Sequence, residues 1–475
     1  MNYDSQKNRR GLAGSALCAL SLLSLLCGSA RAETASPAKA PHVATTPLDS
    51  KKERPISGVS YLSNGVIKVG VDLDLGGAIT YLSKADNDVN LVNSFDWGRQ
   101  IQMSHYSGPV PFAPNGKQPK PVWTGLGWNP VQSGDVFGHR ARVLAHANDG
   151  KTMHTKCIPM QWPLDNEPGE CTFETWISLR GNVVNVSARV LNARIDKTQY
   201  KGRDQELPAV YTNGPWCRLV TYTGDKPFAN DKTSDMPAVF PWTGWQATEN
   251  WTALVDKNGF GLGVVSPGNP RTIGGFAGKP GAGGPKDSPT GYIAPLFREI
   301  LDHNIDYRYS YHLIVGTLDE IRAKAITLTP HNALPDYTFT SDRQHWTYAN
   351  AVDTGWPIRG ELNVKTDAAN PQILGPDTFW DAAKAPKLYI QAAFQTGENT
   401  ARIFWKRLDQ KAFTRSKMVM FKVVSDDKMR VYEVNLANSP EYKGCITGLR
   451  FDPANGGKAG SYVRIKYIGT KKPAP

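Results

Sequence analysis

The sequence predicts an all-β fold, and three observations lead to this prediction. Glycine (44) and proline (34) are frequent among the 475 residues and interrupt the chain at short intervals. Apolar residues alternate with a period of two in many short segments, whereas a helical period is confined to pieces such as residues 318–325. Turn-forming residues separate the alternating segments. Many short strands joined by turns are typical of β-sandwiches.

Two hairpins are predicted from turn residues that lie between alternating segments. Residues 172–179 and 182–191 each alternate by two, and the intervening Gly-Asn pair is a two-residue turn signal. Residues 251–255 and 260–265 flank the sequence Asp-Lys-Asn-Gly, whose last residues supply the positive φ of a tight turn. These hairpins predict antiparallel sheets.

A second set of strands follows a loop-like stretch near residues 330–354. Strand patterning then recurs at residues 387–394, 400–406, 417–424, 429–434, 448–451 and 461–468. The chain is also longer than one hydrophobic core usually fills. We therefore expect two β units, one at residues 55–346 and one at residues 347–475.

The N-terminal residues predict export. A positively charged segment precedes an apolar run at residues 11–27, and Ala30 and Ala32 give a small-x-small cleavage pattern. We interpret residues 1–32 as a signal peptide and residues 33–54, rich in Ala, Pro and Thr, as a flexible leader. The apolar run is too short for a permanent span of about 20 residues. The expectation is a periplasmic or extracellular protein that is not held in a membrane.

The net charge of +12 leaves two interpretations open. One is a basic secreted protein with no special partner. The other is attraction to an acidic polymer such as a uronate polysaccharide. A nucleic-acid partner is not expected, because Lys and Arg are dispersed and no nucleic-acid-binding motif is found.

The cysteines predict one disulfide. Cys157 and Cys171 flank a segment rich in Pro and Gly that resembles a hairpin tip, so they are the best pair in an oxidising compartment. Cys217 and Cys445 lie far apart in sequence, and their pairing stays open. No Cys/His cluster has zinc-ligand spacing, so neither a metal centre nor a cofactor is expected, although exposed Asp and Asn would suffice for a structural Ca²⁺ ion.

Several short sequences fit the beginning of one known fold: LSNG at 62–65, IKVGV at 67–71, GGAITYL at 76–82, NLVN at 90–93 and DWGRQ at 96–100. Residues 251–264 look like its mid-domain hairpin, and residues 309–322 look like its closing strand and short helix. On these sequences, residues 58–328 resemble the galactose mutarotase-like β-supersandwich found in aldose epimerases, glycosidases and polysaccharide lyases. The resemblance implies a carbohydrate-related fold and leaves the reaction open.

A second resemblance concerns the C-terminal unit. It is carried by ARIFWK at 401–406, RVYEVNL at 430–436, YKGCITGLRFDP at 442–453 and VRIKYI at 463–468. These sequences resemble a jelly-roll β-sandwich of the kind attached to carbohydrate-active enzymes. Such modules bind sugars or brace the neighbouring domain, and both roles stay open here.

Polar and aromatic residues are concentrated between residues 96 and 142, among loop-forming Gly and Pro. Loops held on a rigid sandwich are where binding groups usually lie. Trp rings stack on the apolar faces of sugars, and Asp, Asn, Gln and Arg bond their hydroxyls. The predicted substrate-binding residues, which include one tyrosine further along the chain, are Asp96, Arg99, Trp123, Trp128, Asn129, Gln132, Arg140 and Tyr211. The alternative for both tryptophans is a place in the core.

Four side chains are the candidate catalytic groups. His105 and His139 are candidates for proton transfer, because imidazole titrates near neutral pH. Asp135 and Glu206 are the candidate carboxyl pair of a hydrolase. Each also has a structural alternative as a core or surface residue.

These observations favour a secreted carbohydrate-active enzyme, a glycoside hydrolase or polysaccharide lyase that acts on a poly- or oligosaccharide. A lyase would use His139 or Tyr211 as base, with Arg99 and Arg140 facing a uronate carboxylate. The alternatives are a non-catalytic glycan-binding protein and a mutarotase-like epimerase.

Overall fold

Strands dominate the computed structural model, which describes residues 56–331 and 333–474 and confirms the all-β prediction. The predicted signal peptide and leader lie outside the described residues. The first strands are β1 (Val59–Ser63), β2 (Ile67–Asp72), β3 (Ala78–Lys84), β4 (Ile101–Ser104), β5 (Pro130–Val131), β6 (Arg142–Asn148), β7 (Thr152–Ile158), β8 (Met160–Gln161), β9 (Cys171–Arg180), β10 (Val183–Asn192), β11 (Arg203–Asn213), β12 (Arg218–Thr221), β13 (Ser234–Met236), β14 (Thr243–Gln246), β15 (Trp251–Val255), β16 (Phe260–Val265), β17 (Arg271–Ala277), β18 (Thr290–Glu299) and β19 (Asp306–Thr317).

These strands form two large antiparallel sheets. A ten-stranded sheet has the order β1-β2-β3-β4-β11-β18-β17-β14, with β5 paired to β4 and β8 paired to β5. A nine-stranded sheet has the order β13-β12-β15-β16-β19-β10-β9-β7-β6. Their inner faces share one apolar core, to which Val69, Val184, Leu262, Ile293 and Leu313 contribute buried side chains. The N-terminal part is therefore a sandwich of two extended sheets.

The remaining strands are β20 (Asp336–Thr338), β21 (Thr347–Ala349), β22 (Val352–Asp353), β23 (Leu362–Lys365), β24 (Gln372–Leu374), β25 (Trp380–Asp381), β26 (Lys387–Gln395), β27 (Thr400–Arg407), β28 (Met418–Lys422), β29 (Arg430–Asn435), β30 (Cys445–Asp452) and β31 (Tyr462–Gly469). They form two six-stranded antiparallel sheets, β22-β23-β31-β26-β29 with β20 on β31, and β21-β24-β30-β27-β28 with β25 on β30. A second core lies between them, around Trp346, Ile390, Trp405 and Phe451. This arrangement is the predicted C-terminal β-sandwich.

Both predicted hairpins are present. Val183 of β10 pairs with Arg180 of β9, so Gly181 and Asn182 form the two-residue turn, with Gly181 at φ 55°. β15 and β16 are joined through Gly259 at φ 81°. The predicted domain boundary at residues 346/347 stays a prediction, and β20, which pairs with β31, precedes it.

Helical structure in the described residues is limited to α1 (Leu318–Leu328) and five short 3-10 turns, Leu73–Leu75, Pro114–Gly116, Pro121–Leu126, Ala382–Lys384 and Leu436–Asn438. Thr317 and Glu320 form a capping box that starts α1. The helix packs on the outer face of the nine-stranded sheet, where a Cβ at Gly263 would lie 2.3 Å from Cγ2 of Ile321. No helix in the described part of the chain is long and apolar enough to cross a membrane.

The predicted disulfide is not formed in the structure, where Cys157 and Cys171 are both buried free thiols. The strand register explains the difference, because Cys157 of β7 lies opposite Phe173 of β9 and Cys171 is two residues further along. The two thiols are therefore diagonal neighbours. Burial raises the pKa of the Cys157 thiol to about 12. Cys217 and Cys445 are free as well.

A buried ion pair attaches α1 to the sheet. Arg322 donates to both carboxylate oxygens of Glu249, at 3.0 and 2.8 Å. The same carboxylate accepts from Nε1 of Trp251 at 2.9 Å and from the backbone N–H of Phe228 at 2.9 Å. Burial opposes ionisation, but these donors hold the pKa of Glu249 below its ordinary value. Glu249 is thus fully occupied in holding the fold.

We predict that Glu249→Gln lowers the free energy of unfolding by about 3 kcal/mol, because it leaves the Arg322 guanidinium buried without a counter-charge. Urea denaturation measures the change. Glu433→Gln is the matched control, since the Lys387–Glu433 pair is exposed and its loss should leave stability unaltered. Equal stability of Glu249→Gln and the wild type would show that the pair does not hold α1.

Candidate functional site

A narrow cleft with about 60 Å³ of free space lies against the outer face of the ten-stranded sheet. Residues of β4, β11 and the loops at 94–99, 105–131 and 160–164 form its walls. The lining residues are Asp96, Gly98, Arg99, Gln102, Ser104, Tyr106, Trp123, Leu126, Asn129, Val131, Trp162, Glu206, Ala209 and Tyr211. Six of the predicted site residues, Asp96, Arg99, Trp123, Asn129, Glu206 and Tyr211, therefore meet in one cleft.

Strand alternation explains which side chains face the cleft. On β4, Ile101 and Met103 point into the core, so Gln102 and Ser104 face the opposite side. On β11, Leu207 and Val210 are core residues, whereas Glu206 faces the cleft. The pairing of β11 with β4 and β18 is irregular directly after Glu206, which is a bulge of the kind often found beside functional sites.

Glu206 is the most unusual group of the cleft, since its side chain is buried with a residue exposure of 3%. The Tyr292 hydroxyl donates to Oε1 of Glu206 at 2.6 Å, and Ser104 and Tyr106 are hydrogen-bond partners of the same carboxyl group. No cation among the described residues contributes to its ionisation. Burial therefore outweighs the three hydroxyl donors and raises the pKa of Glu206.

The pKa values of the tyrosines beside Glu206 are raised as well. Burial, followed by the nearby carboxyl group of Glu206, raises the pKa of Tyr106 and of Tyr292 well above the ordinary value. Both phenols consequently keep their protons and are hydrogen-bond donors to the carboxyl group.

Aromatic rings form the other walls. Trp123 and Trp162 meet edge to face, with ring centroids 5.9 Å apart. Tyr106 and Tyr211 add two further rings to the lining. These side chains are nearly buried, and Tyr106, Trp123 and Trp162 pack in one apolar cluster, so small parts of the rings border the cleft beside a few fixed polar groups. Such a combination is typical of small-molecule sites.

Two arginines hold the loop that carries Trp123. Arg203, at the start of β11, donates to the carbonyls of Leu126 at 2.8 Å and Gly125 at 3.1 Å. Arg194 lies among the rings of Phe112, Trp128 and Tyr200, at 5.9, 5.1 and 5.3 Å from their centroids. The two arginines therefore contact this loop on both sides of Trp123.

Asp96 and Arg99 form the charged corner of the cleft. Nε of Arg99 is 3.3 Å from a carboxylate oxygen of Asp96, and Nη1 donates to the carbonyl of Ser288 at 2.5 Å. Arg99 is 3% exposed. Its charge is thus already balanced by Asp96.

His105 does not line the cleft, although it is a predicted catalytic residue. Alternation places it on the core side of β4, between Ser104 and Tyr106, and its exposure is 0%. The rings of Phe173, Tyr307 and Tyr309 surround it at centroid distances of 5.3, 6.3 and 5.9 Å. Burial lowers the pKa of His105 to about 3, so the imidazole is neutral in the core.

Asp135 and His139 lie together, but they too are absent from the cleft lining. The carboxylate of Asp135 accepts from the backbone N–H groups of Phe137, His139 and Asn166 and contacts Nδ1 of His139 at 2.9 Å. Asp135 is 1% exposed. The structure therefore uses this pair to organise a turn, and it does not bring Asp135 together with Glu206 as a lining pair.

Three predicted substrate-binding residues also lie outside the cleft lining and make structural contacts elsewhere. Trp128 is 0% exposed and packs against Arg194. Gln132 accepts from the backbone N–H of Met103 and donates to the carbonyl of Gly76. Arg140 donates to Asp74 at 2.7 Å. Trp128 thus takes the core position that the sequence left as its alternative.

The cleft contains residues that the sequence did not identify as site residues. Gln102, Ser104 and Tyr106 follow the period-two alternation of β4, which was a usable signal. Trp162 and Tyr292 come from distant strands and loops, and only strand pairing brings them to Glu206. In the described ranges, no three His, Cys, Asp or Glu side chains are grouped to hold a metal ion.

No protein-family model and no curated protein matches the chain. Solved structures show similarity over roughly half of it. A galactose mutarotase-like protein from Lactobacillus casei is 10% identical, with a TM-score of 0.37 over 54% of this chain and 100% of the other. A galactose mutarotase related enzyme from Lactobacillus acidophilus is 14% identical, with a TM-score of 0.31 over 55% and 99%.

A 4-alpha-glucanotransferase from Thermococcus litoralis is 13% identical, with a TM-score of 0.29 over 56% of this chain and 40% of the other. The chain is thus similar to galactose mutarotase-like structures, the family of folds that its sequence resembles. At these identities and TM-scores, the likenesses carry no argument about activity or substrate.

Tyr292→Phe should raise the pKa of Glu206 further, because it removes a donor that favours the charged carboxylate. A ¹³C-carboxyl NMR titration measures this pKa, with Glu206→Gln identifying the resonance. Tyr309→Phe is the control, since the buried Tyr309 hydroxyl has no hydrogen-bond partner. An unchanged pKa in Tyr292→Phe would mean that this hydrogen bond does not act on Glu206.

The buried neutral His105 predicts a pH-dependent stability. Its folded-state pKa is lowered, so the unfolded chain takes up a proton that the folded chain does not, and stability falls as pH drops below about 6.5. Between about pH 6.5 and about pH 5, the difference in unfolding free energy between wild type and His105→Phe should change by about 2 kcal/mol. Urea denaturation at each pH measures this difference. A difference independent of pH would contradict this, because it would mean that His105 takes up its proton equally in the folded and unfolded chain.

Proposed function

We propose that the chain is a carbohydrate-active enzyme that hydrolyses a glycosidic bond of an oligosaccharide or a chain end, with Glu206 as the general acid. The observation that carries the proposal is the raised pKa of a carboxyl group buried in an aromatic-walled cleft. A carboxyl group whose pKa is raised by burial is what a glycosidase acid requires.

The two carboxyl groups of the cleft have different surroundings. Glu206 is desolvated beside hydroxyl groups, whereas Asp96 faces the Arg99 guanidinium. A desolvated carboxyl group suits the role of general acid, and a carboxylate beside a guanidinium suits the role of general base. Glu206 would donate its proton to the glycosidic oxygen as the C1–O bond breaks. Asp96 would take the proton of the water that attacks C1, and solvent would return a proton to Glu206.

The size of the cleft supports a short substrate. Its free space is about 60 Å³, enough for a few water molecules, so a sugar ring would enter only with a shift of the cleft walls, and no long internal segment of a polymer is expected. Trp162, the more exposed of the two tryptophans, would pack on a ring face, and Asn129 would bond a hydroxyl. The reaction breaks one C–O bond, forms another with water and transfers protons without a change of oxidation state, so it requires no cofactor.

The charges of the cleft favour a neutral sugar. Arg99 is the one cation among the described lining residues, and Asp96 already balances it. A polysaccharide lyase is less favoured, because His139 and Arg140 lie outside the lining and Arg99, the cation that would face a uronate carboxylate, is already paired with Asp96. An acidic glycan partner consequently has little support in the cleft.

We also infer that this enzyme acts outside the cytoplasm. The support is the signal-peptide pattern of residues 1–32. A periplasmic or extracellular site would place the protein where glycans are accessible.

The proposal is tested by incubating the protein with a panel of neutral and acidic oligo- and polysaccharides while following reducing ends and unsaturated-uronate absorbance. Reducing ends alone are expected, released from chain ends and fastest with neutral glycans. Glu206→Gln should lower the rate by about 10²–10⁴-fold while sugar retention on an affinity gel persists. Asp135→Asn, which alters a carboxylate outside the cleft lining, is the control and should keep the cleavage rate per folded molecule.

The activity should also fall as pH rises above the raised pKa of Glu206, because the acid is then deprotonated. Unsaturated uronates would indicate a lyase. Anomer interconversion in a polarimeter without new reducing ends would indicate an epimerase, and retention without turnover would indicate a binding protein. Each of these three results would contradict the hydrolase assignment.

A further inference from the structure

The segment between β20 and β21, residues 341–346, lies against the end of β18. β18 carries Tyr292, which donates to Glu206, and ends at Glu299. Two residues of the segment, Arg343 and His345, make its polar contacts with the N-terminal sandwich. Residues 341–346 therefore contact the same strand that supports the cleft.

Arg343 makes a contact that does not depend on pH near neutrality. Its guanidinium donates to Asp302, which follows β18, and at 2.8 Å to Asp353 of β22. Tyr348 donates to the same Asp353 carboxylate at 2.8 Å. Arginine stays charged across the physiological range, so this bridge is constant.

His345 makes the second contact, and its ring is fixed in two directions. The imidazole stacks on Phe297 of β18, with ring centroids 4.1 Å apart and planes 4° from parallel. Nδ1 is hydrogen-bonded to Glu299, whose carboxylate also accepts from Tyr307 at 3.1 Å. The ring is held against β18 by both stacking and a carboxylate.

The backbone of this contact is strained. Gln344 and His345 have φ values of 49° and 62°, a left-handed conformation that costs a non-glycine residue conformational energy. Two such residues in succession require compensating contacts. For His345, those contacts are Phe297 and Glu299.

We propose that residues 341–346 form a proton-dependent latch, which fixes the C-terminal sheets to the end of β18 when the His345 imidazole is protonated and loosens when it is neutral. The latch is independent of the proposed hydrolase activity. It adds to the constant Arg343 bridge a contact whose strength follows pH.

The charged groups around the His345 ring favour its protonated form, as the latch requires. Burial opposes the imidazolium, but the Glu299 carboxylate, followed by Asp342, raises the pKa of His345 above its ordinary value. The neighbouring cleft also contains charged and titratable groups on the elements packed against the ring, namely Asp306, Tyr307, Arg308, Tyr309, Asp336, Tyr337, Arg343 and Asp377. Asp306 is paired with Arg189 and Arg308, and Arg343 with Asp302 and Asp353, so Glu299 is the carboxylate that His345 engages.

The sign of the pH effect follows from this pKa. The closed latch binds the proton more tightly than an opened segment, in which His345 has its ordinary pKa of about 6.5. Closure is thus fully favoured below that pH. It weakens by at most about tenfold per pH unit as pH rises toward the raised pKa, and is constant above it.

Hydrogen–deuterium exchange of peptides covering residues 340–350, corrected for the intrinsic exchange rate, tests the proposal from about pH 6 to about pH 9. In the wild type, the protection factor should fall with rising pH and then level off. In His345→Phe, which keeps the ring stacking on Phe297 but cannot bind a proton, protection should be lower and flat with pH. Peptides of the β9–β10 hairpin should show no change.

A second histidine provides a matched control. His331 stacks on Phe228 at 4.0 Å and contacts the carbonyl of Ile326. His331→Phe should therefore leave the pH profile of residues 340–350 as in the wild type. Glu299→Gln, used in addition in case His345→Phe fails to fold, should flatten the profile. A flat wild-type profile, or an equal decline in His345→Phe or Glu299→Gln, would overturn the latch.

Discussion

The desolvation of one carboxyl group organises the candidate site. Glu206 lies at the centre of the ten-stranded sheet, where water cannot solvate its charge and where no cation among the described residues compensates. A buried carboxyl group without a counter-charge keeps its proton more strongly. Three hydroxyl groups satisfy its hydrogen bonds and hold its orientation. The remainder of the cleft can be understood as the structure that keeps this group dry and accessible to a small ligand.

That structure is supplied by strand pairing and by two arginines. β4 and β18 pair with β11 on either side and bring Ser104 and Tyr292 to Glu206. Arg203, three residues before Glu206, holds the loop that carries Leu126 and its neighbour Trp123. Changes in the loop position would consequently expose Glu206 to water and weaken the effect of burial on its pKa. The chemistry and the fold are coupled at this strand.

Local sequence signals predicted the architecture well, because strands and turns are encoded over short distances. The Gly181–Asn182 turn, the β15–β16 hairpin and the helical segment at residues 318–325 were all located in the sequence. About half of the candidate site could be predicted for the same reason, since Asp96, Arg99, Trp123 and Asn129 lie in one loop-rich stretch.

The parts that the sequence did not predict correctly depend on which face of a strand a side chain occupies and on the pairing of strands that are distant in sequence. His105 carries a functional side chain, but one residue of alternation turns it into the core, whereas its neighbours Ser104 and Tyr106 face the cleft. Tyr292 reaches Glu206 only because β18 pairs with β11. The prediction of a Cys157–Cys171 disulfide failed for a similar reason, because the register of β7 and β9 makes the two thiols diagonal neighbours.

The central claim is that Glu206 holds its proton in the cleft and can donate it. Isotope-edited infrared difference spectroscopy between the wild type and Glu206→Gln, followed as pH is raised, measures this directly through the carbonyl stretch of a protonated carboxyl group. The band should persist above the ordinary glutamate pKa of about 4.3 and should disappear as pH rises further and Glu206 loses its proton. Loss of the band at or below that ordinary pKa would contradict a general-acid role for Glu206.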